Sequence, residues 1–96
     1  LEVKDLKQQL EPDIRKAFIN YENSLALSEL EERNFEIAEE NYEIAQDRYN
    51  IGNATALEIR EAQVNFVQAE LRKLQAAFNV QVQEVELKRL AGENLR

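Results

Sequence analysis

Near the middle of the chain, a signal that ends one helix and a signal that begins the next are only three residues apart, at Gly52 and Thr55. Gly52 can take the left-handed backbone conformation that ends a helix at low steric cost. Thr55 and Glu58 form a capping box, in which the Thr55 hydroxyl accepts from the Glu58 amide and the Glu58 carboxylate reaches back to the Thr55 amide. So short an interval between two helices predicts that the chain folds back on itself as an antiparallel hairpin.

The residues on both sides of this tip favour long helices. The 96 residues include two Gly and one Pro, and they are rich in Ala, Leu, Glu, Gln and Arg. We therefore expect an all-α chain with a single domain, 1–96. Its first helix covers about 3–50, with a kink or break near Pro12, its tip covers 51–54, and its second helix covers about 55–91.

The amino-acid composition excludes most kinds of catalytic site. The chain has no Cys and no His, which excludes thiol nucleophiles, imidazole general bases and ordinary zinc sites. It also has no glycine-rich loop of the kind that binds phosphates. We expect no catalytic residues, no metal and no cofactor, and we do not expect an enzyme.

The net charge of −7 is concentrated in the first helix. Nine acidic residues between positions 22 and 47 face one basic residue, Arg33, and we call the nine the acidic stripe: Glu22, Glu29, Glu31, Glu32, Glu36, Glu39, Glu40, Glu43 and Asp47. Such a surface repels a phosphate backbone, so nucleic acid is not an expected partner. The stripe is either an ordinary solvated face or a negative surface that lines a channel or meets a basic partner.

The first helix carries two apolar rows at heptad spacing. One row alternates large residues with small ones, a pattern that lets two helices pack closely. It comprises Ile14, Ala17, Tyr21, Ser24, Ser28, Glu31, Phe35, Ala38, Tyr42, Ala45, Tyr49 and Gly52. The other row lies roughly 160° around the helix and is purely aliphatic. It comprises Leu30, Ile37, Ile44 and Ile51.

The second helix also has two rows, on nearly opposite sides. The unbroken one comprises Leu57, Val64, Leu71, Phe78 and Val85, flanked by Val67 and Leu74. The other comprises Ile59, Ala62, Phe66, Ala69, Ala76, Val80, Leu87 and Leu90, and only Lys73 and Gln83 interrupt it.

A lone hairpin can bury one row of each helix and leaves the other in water, at roughly 1.5–3 kcal/mol for each large side chain. The pattern therefore indicates a larger helical assembly. The alternative is an autonomous hairpin scaffold that dimerises into a four-helix bundle.

The tip and its surroundings resemble a known family, the TolC-like outer-membrane efflux proteins. Residues 48–63 match R-Y-x-x-G-x-x-T-x-L-[ED]-[IV]-x-x-A-Q of that family's second periplasmic helical hairpin. Residues 37–42 resemble its A-E-E-N stretch, and 88–92 resemble the end of its second helix. The likeness covers roughly 14–92.

The resemblance implies a long antiparallel coiled-coil hairpin that is one segment of an α-helical barrel. In such proteins three protomers form an outer-membrane duct that crosses the periplasm and works with a periplasmic adaptor protein and an inner-membrane pump. The chain would then be the periplasmic portion of a bacterial outer-membrane protein. As an isolated hairpin it could pair with itself as a dimer. An adaptor's own hairpin is the less favoured reading, because the arginine–leucine motif ending in serine at the turn is absent.

The resemblance also places six residues at an adaptor-docking or gating tip. They are Tyr49, Gly52, Asn53, Thr55, Glu58 and Glu61. Ala54 departs from the family pattern, since some members carry a basic residue there that forms a salt bridge. Five of the six have a simpler role as well. Gly52 and Thr55 stop and cap the helices, and Glu58 completes the capping box. Glu61 is an ordinary exposed acid, and Tyr49 continues the aromatic row.

Overall fold

A computed structural model of the chain describes the backbone of residues 2–95 and the side chains of residues 12–92. Two helices, α1 (Glu2–Asn50) and α2 (Ala56–Leu95), are joined by a five-residue tip at 51–55. They lie antiparallel in one hairpin with principal extents of 76 × 15 × 13 Å. The predicted all-α hairpin is confirmed.

Two details of the helix bounds differ from the sequence expectation. Pro12 lies inside α1, and the helix runs through it without the break that we considered; a kink there stays a prediction. Proline removes one backbone donor, which bends rather than ends a helix whose neighbouring turns are intact. The second difference is that α2 continues to Leu95, past Gly92. Among the described residues Gly52 is the one with a positive φ, so Gly92 lowers helix propensity without ending the helix.

The helices meet along small side chains. Among residues 12–92 the buried ones are Ala17, Ser24, Ala69 and Ala76. The Ser24 hydroxyl donates to the Tyr21 carbonyl at 2.7 Å within its own helix, so its polar group is satisfied. Small residues on the line between two helix axes let the backbones approach closely, and larger neighbours pack around them.

The large side chains of the seam form a stack that crosses it. The Phe66 ring centroid lies 5.3 Å from that of Phe35 and 5.5 Å from that of Tyr42. The Lys73 ammonium lies 4.4 Å from the centroid of the Phe35 ring. Lys73, which interrupts the apolar row in the sequence, therefore places its positive charge over an aromatic face.

The structure decides which row of each helix lies inside. The aromatic–alanine row of α1 packs against the interrupted row of α2, the one that contains Ala69. The outer rows remain exposed: Leu30, Ile37, Ile44 and Ile51 on α1, and Leu57, Val64, Leu71, Phe78 and Val85 on α2. The longest unbroken apolar series of the sequence thus faces outward.

We expect the fit at Ala69, which is 1% exposed, to be sensitive to added volume. Ala69→Leu should destabilise the hairpin by about 1–3 kcal/mol, because extra methylene groups push the two helices apart. The matched control is Ala77→Leu at an exposed position of the same helix. Urea unfolding followed by circular dichroism measures both, and equal midpoints for the two variants would contradict this packing.

Candidate functional site at the hairpin tip

The end of α1 is closed by a Schellman motif. The Asn53 amide donates to the Arg48 carbonyl at 2.7 Å, and the Gly52 amide donates to the Tyr49 carbonyl at 3.1 Å. Gly52 has a φ of 84°, in the left-handed region where a side chain is strained. The predicted helix stop is confirmed, and its hydrogen bonds fix the direction in which the chain leaves α1.

The start of α2 is capped by Thr55. The Glu58 amide donates to the Thr55 hydroxyl at 3.1 Å, and the Ile59 amide donates to the Thr55 carbonyl at 3.2 Å. Ala54 is the one residue between the Schellman motif and this cap. The tip is therefore a short loop with hydrogen bonds on both sides, not a free linker.

The Glu58 side chain differs from the predicted capping box. Its carboxylate lies 3.8 Å from the Arg48 guanidinium across the tip, in place of the expected contact with the Thr55 amide. The Arg48 Nη2 also donates to the Asn53 carbonyl at 3.0 Å. Glu58 retains its favourable place in the first turn of α2, where its negative charge complements the helix dipole.

Arg48 is a tip residue that the sequence reasoning did not single out. It joins the last turn of α1 to the loop and to the first turn of α2 by its contacts with Asn53 and Glu58. The available signal was its position, since a basic residue in the last turn of a helix complements the helix dipole. The sequence does not show which residue across the tip Arg48 contacts, because that depends on how the chain folds back.

The structure brings five of the six proposed tip residues together in the loop and its two flanking turns. Glu61 lies one turn further along α2 and lines a groove between the helices together with Glu58, Asn41 and Asn65. Tyr49 is 46% exposed, so the aromatic row of α1 is not covered by α2 at this position. The phenol side chain therefore reaches solvent. Both acids therefore lie on one side of the hairpin, beside the tip.

The same groove ends at a polar layer that crosses the seam. The Arg72 Nε donates to the Glu31 carboxylate at 3.2 Å, and the Asn34 side chain donates to the same carboxylate at 3.5 Å. The Glu31 side chain is only 12% exposed, so shifting one helix along the other would leave its charge unpaired. This contact fixes the register of the two helices, and Glu31 is the one member of the acidic stripe in an ion pair among the described side chains.

The open end of the hairpin has a separate charged cluster. Arg89 Nε donates to the Glu86 carboxylate at 3.3 Å, and this hydrogen bond lowers the pKa of Glu86. Lys88 pairs with Glu84 at 3.1 Å one turn apart. Both exposed pairs lie within α2, where they support helix formation.

Nothing around the tip resembles a catalytic centre or a metal centre. Within the part of the chain that the structure describes, no group of three or more acidic side chains is arranged to hold a metal ion. None of the described helices is long and apolar enough to cross a membrane. The tip offers a short capped loop, exposed apolar side chains and a few charges.

Comparison with known proteins identifies one family. The family model described as outer membrane efflux protein matches residues 5–93, nearly the whole chain. No curated protein and no solved structure matches the chain significantly.

The role of Gly52 can be tested against the other glycine. Gly52→Ala should destabilise the hairpin by about 1–2 kcal/mol, because alanine is strained at a positive φ. Gly92→Ala, in open space within α2, should stabilise it by about 0.5–1 kcal/mol. Opposite shifts of the two urea midpoints are expected, and shifts in the same direction would show that Gly52 is not the helix stop.

Proposed function

The chain belongs to the outer membrane efflux protein family, and on this premise we propose that it is a periplasmic helical hairpin of a TolC-like duct, the second of that protein's two. In this role the hairpin forms part of the channel wall and its tip docks a periplasmic adaptor protein. The duct is a trimer that spans the outer membrane, and an inner-membrane pump supplies the energy for export. The hairpin itself is a passive, non-enzymatic element.

The observation that carries the proposal is the pair of exposed outer rows. Leu30, Ile37 and Ile44 are each more than half exposed on α1, and Leu57 and Phe78 reach about two thirds on α2. A helix in a tube wall has a neighbour on each side, so it needs one apolar row for each neighbour. The hairpin supplies one neighbour for each helix, and the outer rows are suited to the next helices around the wall.

Support for adaptor docking comes from the exposed side chains at the tip. Ile51 is 70% exposed and Leu57 is 65% exposed, on either side of the loop. The hydrogen bonds of the two caps hold this loop in one conformation, so little conformational entropy is lost when a partner binds. A rigid loop with two apolar side chains is suited to the end of another helical hairpin.

The tip acids support a gating role by their position. Glu58 and Glu61 line one groove, so in a wall they would face the same direction. Ala54 provides no basic partner for them, and Arg48 holds Glu58 from within the hairpin. In a closed entrance, Glu61 from each protomer would therefore contribute charge more freely than Glu58.

The second candidate is an autonomous scaffold in which two hairpins form a four-helix bundle. The exposed α2 row, unbroken from Leu57 to Val85, is long enough to serve as its core. This reading requires no other protein segment and no membrane. The two candidates differ in the size and location of the protein in the cell.

An antibody raised against the chain distinguishes them in fractionated source cells. We expect a membrane-associated band several times larger than the 11.2 kDa of this chain. A soluble band at 11.2 kDa would contradict the duct and leave the scaffold.

Docking can be tested by a photo-reactive amino acid in the full-length protein inside the cell. At Asn53 in the tip it should give a covalent adduct with a periplasmic protein that contains a helical hairpin, identified by mass spectrometry. The control position is Gln81, an exposed residue of α2 roughly 40 Å from the tip. Equal adducts at both positions, or none at Asn53, would contradict docking by the tip.

A further inference from the structure

Glu31 is the one charged residue in the inward row of α1. Its side chain is only 12% exposed. The carboxylate accepts a hydrogen bond from Arg72 Nε at 3.2 Å and another from the Asn34 side chain at 3.5 Å. Asn34 lies on α1 itself, so the charged partner of Glu31 comes from α2. The contact therefore depends on which side of α2 faces α1.

Arg72 and its neighbour Lys73 lie on the two flanks of the inward row of α2. At about 100° per residue, Arg72 is about 40–60° around the helix from the buried alanines of that row, and Lys73 is equally far on the other side. Arg72 contacts Glu31, and the Lys73 ammonium lies 4.4 Å from the centroid of the Phe35 ring. Two consecutive cations thus contact α1 from both sides of the seam.

The unbroken row of α2 competes for the same place against α1. Its members are large and exposed, and they lie on nearly the opposite side of the helix. Rotating α2 by roughly half a turn would place these larger side chains against α1, and the hydrophobic effect alone favours that arrangement. The close fit at Ala69 opposes the rotation, and the position of Glu31 opposes it for a separate reason.

The rotation would take Arg72 away from Glu31. Arg72 is about 100° or more around the helix from Leu71, Leu74 and Phe78. With those three residues against α1, the guanidinium would lie outside the seam, and the Glu31 carboxylate would face apolar side chains. A mostly buried charge that has lost its partner is strongly unfavourable.

The capping bonds of the tip leave this choice open. The Schellman hydrogen bonds join residues of the α1 end, and Thr55 caps α2 through amides of α2 itself. These bonds are the same whichever side of α2 faces α1, and Ala54 between them is the residue whose backbone angles would differ. The pair of Arg48 and Glu58 crosses the tip, but it is exposed and adds little stability.

We infer that Glu31 selects the side of α2 that packs on α1, because it penalises the arrangement in which Arg72 cannot reach it. Glu31 is thus a positioning residue, and it keeps the unbroken row of α2 on the surface of the hairpin. The inference concerns a single hairpin, so it holds whether or not the hairpin forms part of a duct wall.

Nuclear magnetic resonance tests the inference on the 96-residue chain. The ring centroids of Tyr42 and Phe66 are 5.5 Å apart, so their protons give a nuclear Overhauser effect in the observed arrangement. In the rotated arrangement Tyr42 would instead lie against Val64 and Val67, on the other side of α2. Spectra of mixed isotope-labelled and unlabelled chains separate contacts within one chain from contacts between chains.

In Glu31→Leu we expect the signal between Tyr42 and Phe66 to fall about twofold or more, because the rotated arrangement becomes populated. Signals between the Tyr42 ring and the methyl groups of Val64 and Val67 should appear within one chain. Leucine favours helix, so both helices are retained, and circular dichroism checks this.

Two further variants serve as controls. Glu31→Gln keeps a polar group that needs Arg72 and Asn34 as partners, so it should retain the observed contact. Glu36→Leu removes the same charge from an exposed position of α1, and it should leave every signal unchanged.

Three results would overturn the inference. If Glu31→Leu keeps the signal between Tyr42 and Phe66 at full strength, the close fit of the small residues alone selects the side. If the variant stays helical and loses that signal without gaining those of Val64 and Val67, Glu31 stabilises the seam but selects neither side. An equal change in Glu36→Leu would show a general effect of removing an acid. None of these results bears on the wall function, which the antibody and photo-cross-linking experiments decide.

Discussion

The close approach of two helices along a line of small side chains is the contact on which the rest of the hairpin depends. Ala17, Ser24, Ala69 and Ala76 are the buried residues among the described side chains, and no large side chain is fully enclosed. A pair of helices has too little volume between its axes to enclose aromatic rings, so the rings of Phe35, Tyr42 and Phe66 pack beside the small residues and remain partly exposed. Which rows face inward follows from where alanine and serine allow this approach.

That choice determines what the molecule offers to its surroundings. Because the alanine-containing row of α2 is inside, the unbroken row from Leu57 to Val85 is outside, where it has no partner within the chain. The same holds for the aliphatic row of α1. A hairpin with two unpartnered apolar rows on different sides is suited to a continuous wall of helices, and less suited to a molecule that acts alone.

The polar contacts serve a different purpose from the apolar ones. Arg72 with Glu31 fixes how far one helix can slide along the other, and Arg48 joins both helices across the tip. The exposed pair at Arg48 adds little stability, since solvent screens it. Its value lies in orientation, because it joins the loop to the first turn of α2 in one arrangement.

The sequence by itself determined two long helices, a hairpin tip, and two apolar rows on each helix. Gly52 and Thr55 could be read directly because a left-handed residue and a capping hydroxyl act within one helical turn. Heptad periodicity also identified every outer-row residue. These features are local, and local backbone chemistry is sufficient to specify them.

Only the tertiary structure decided which row of each helix lies inside and that Glu58 pairs with Arg48 rather than completing a capping box. It also decided that Tyr49 is nearly half exposed and that α2 continues past Gly92. Periodicity ranks two rows of one helix by their apolar character, and by that ranking the outer row of α2 would be placed inside. Close packing of the two backbones favours the opposite choice. Ala69 and Ala76 allow α2 to approach α1 closely, whereas the Leu and Phe side chains of the other row would keep the two helices further apart.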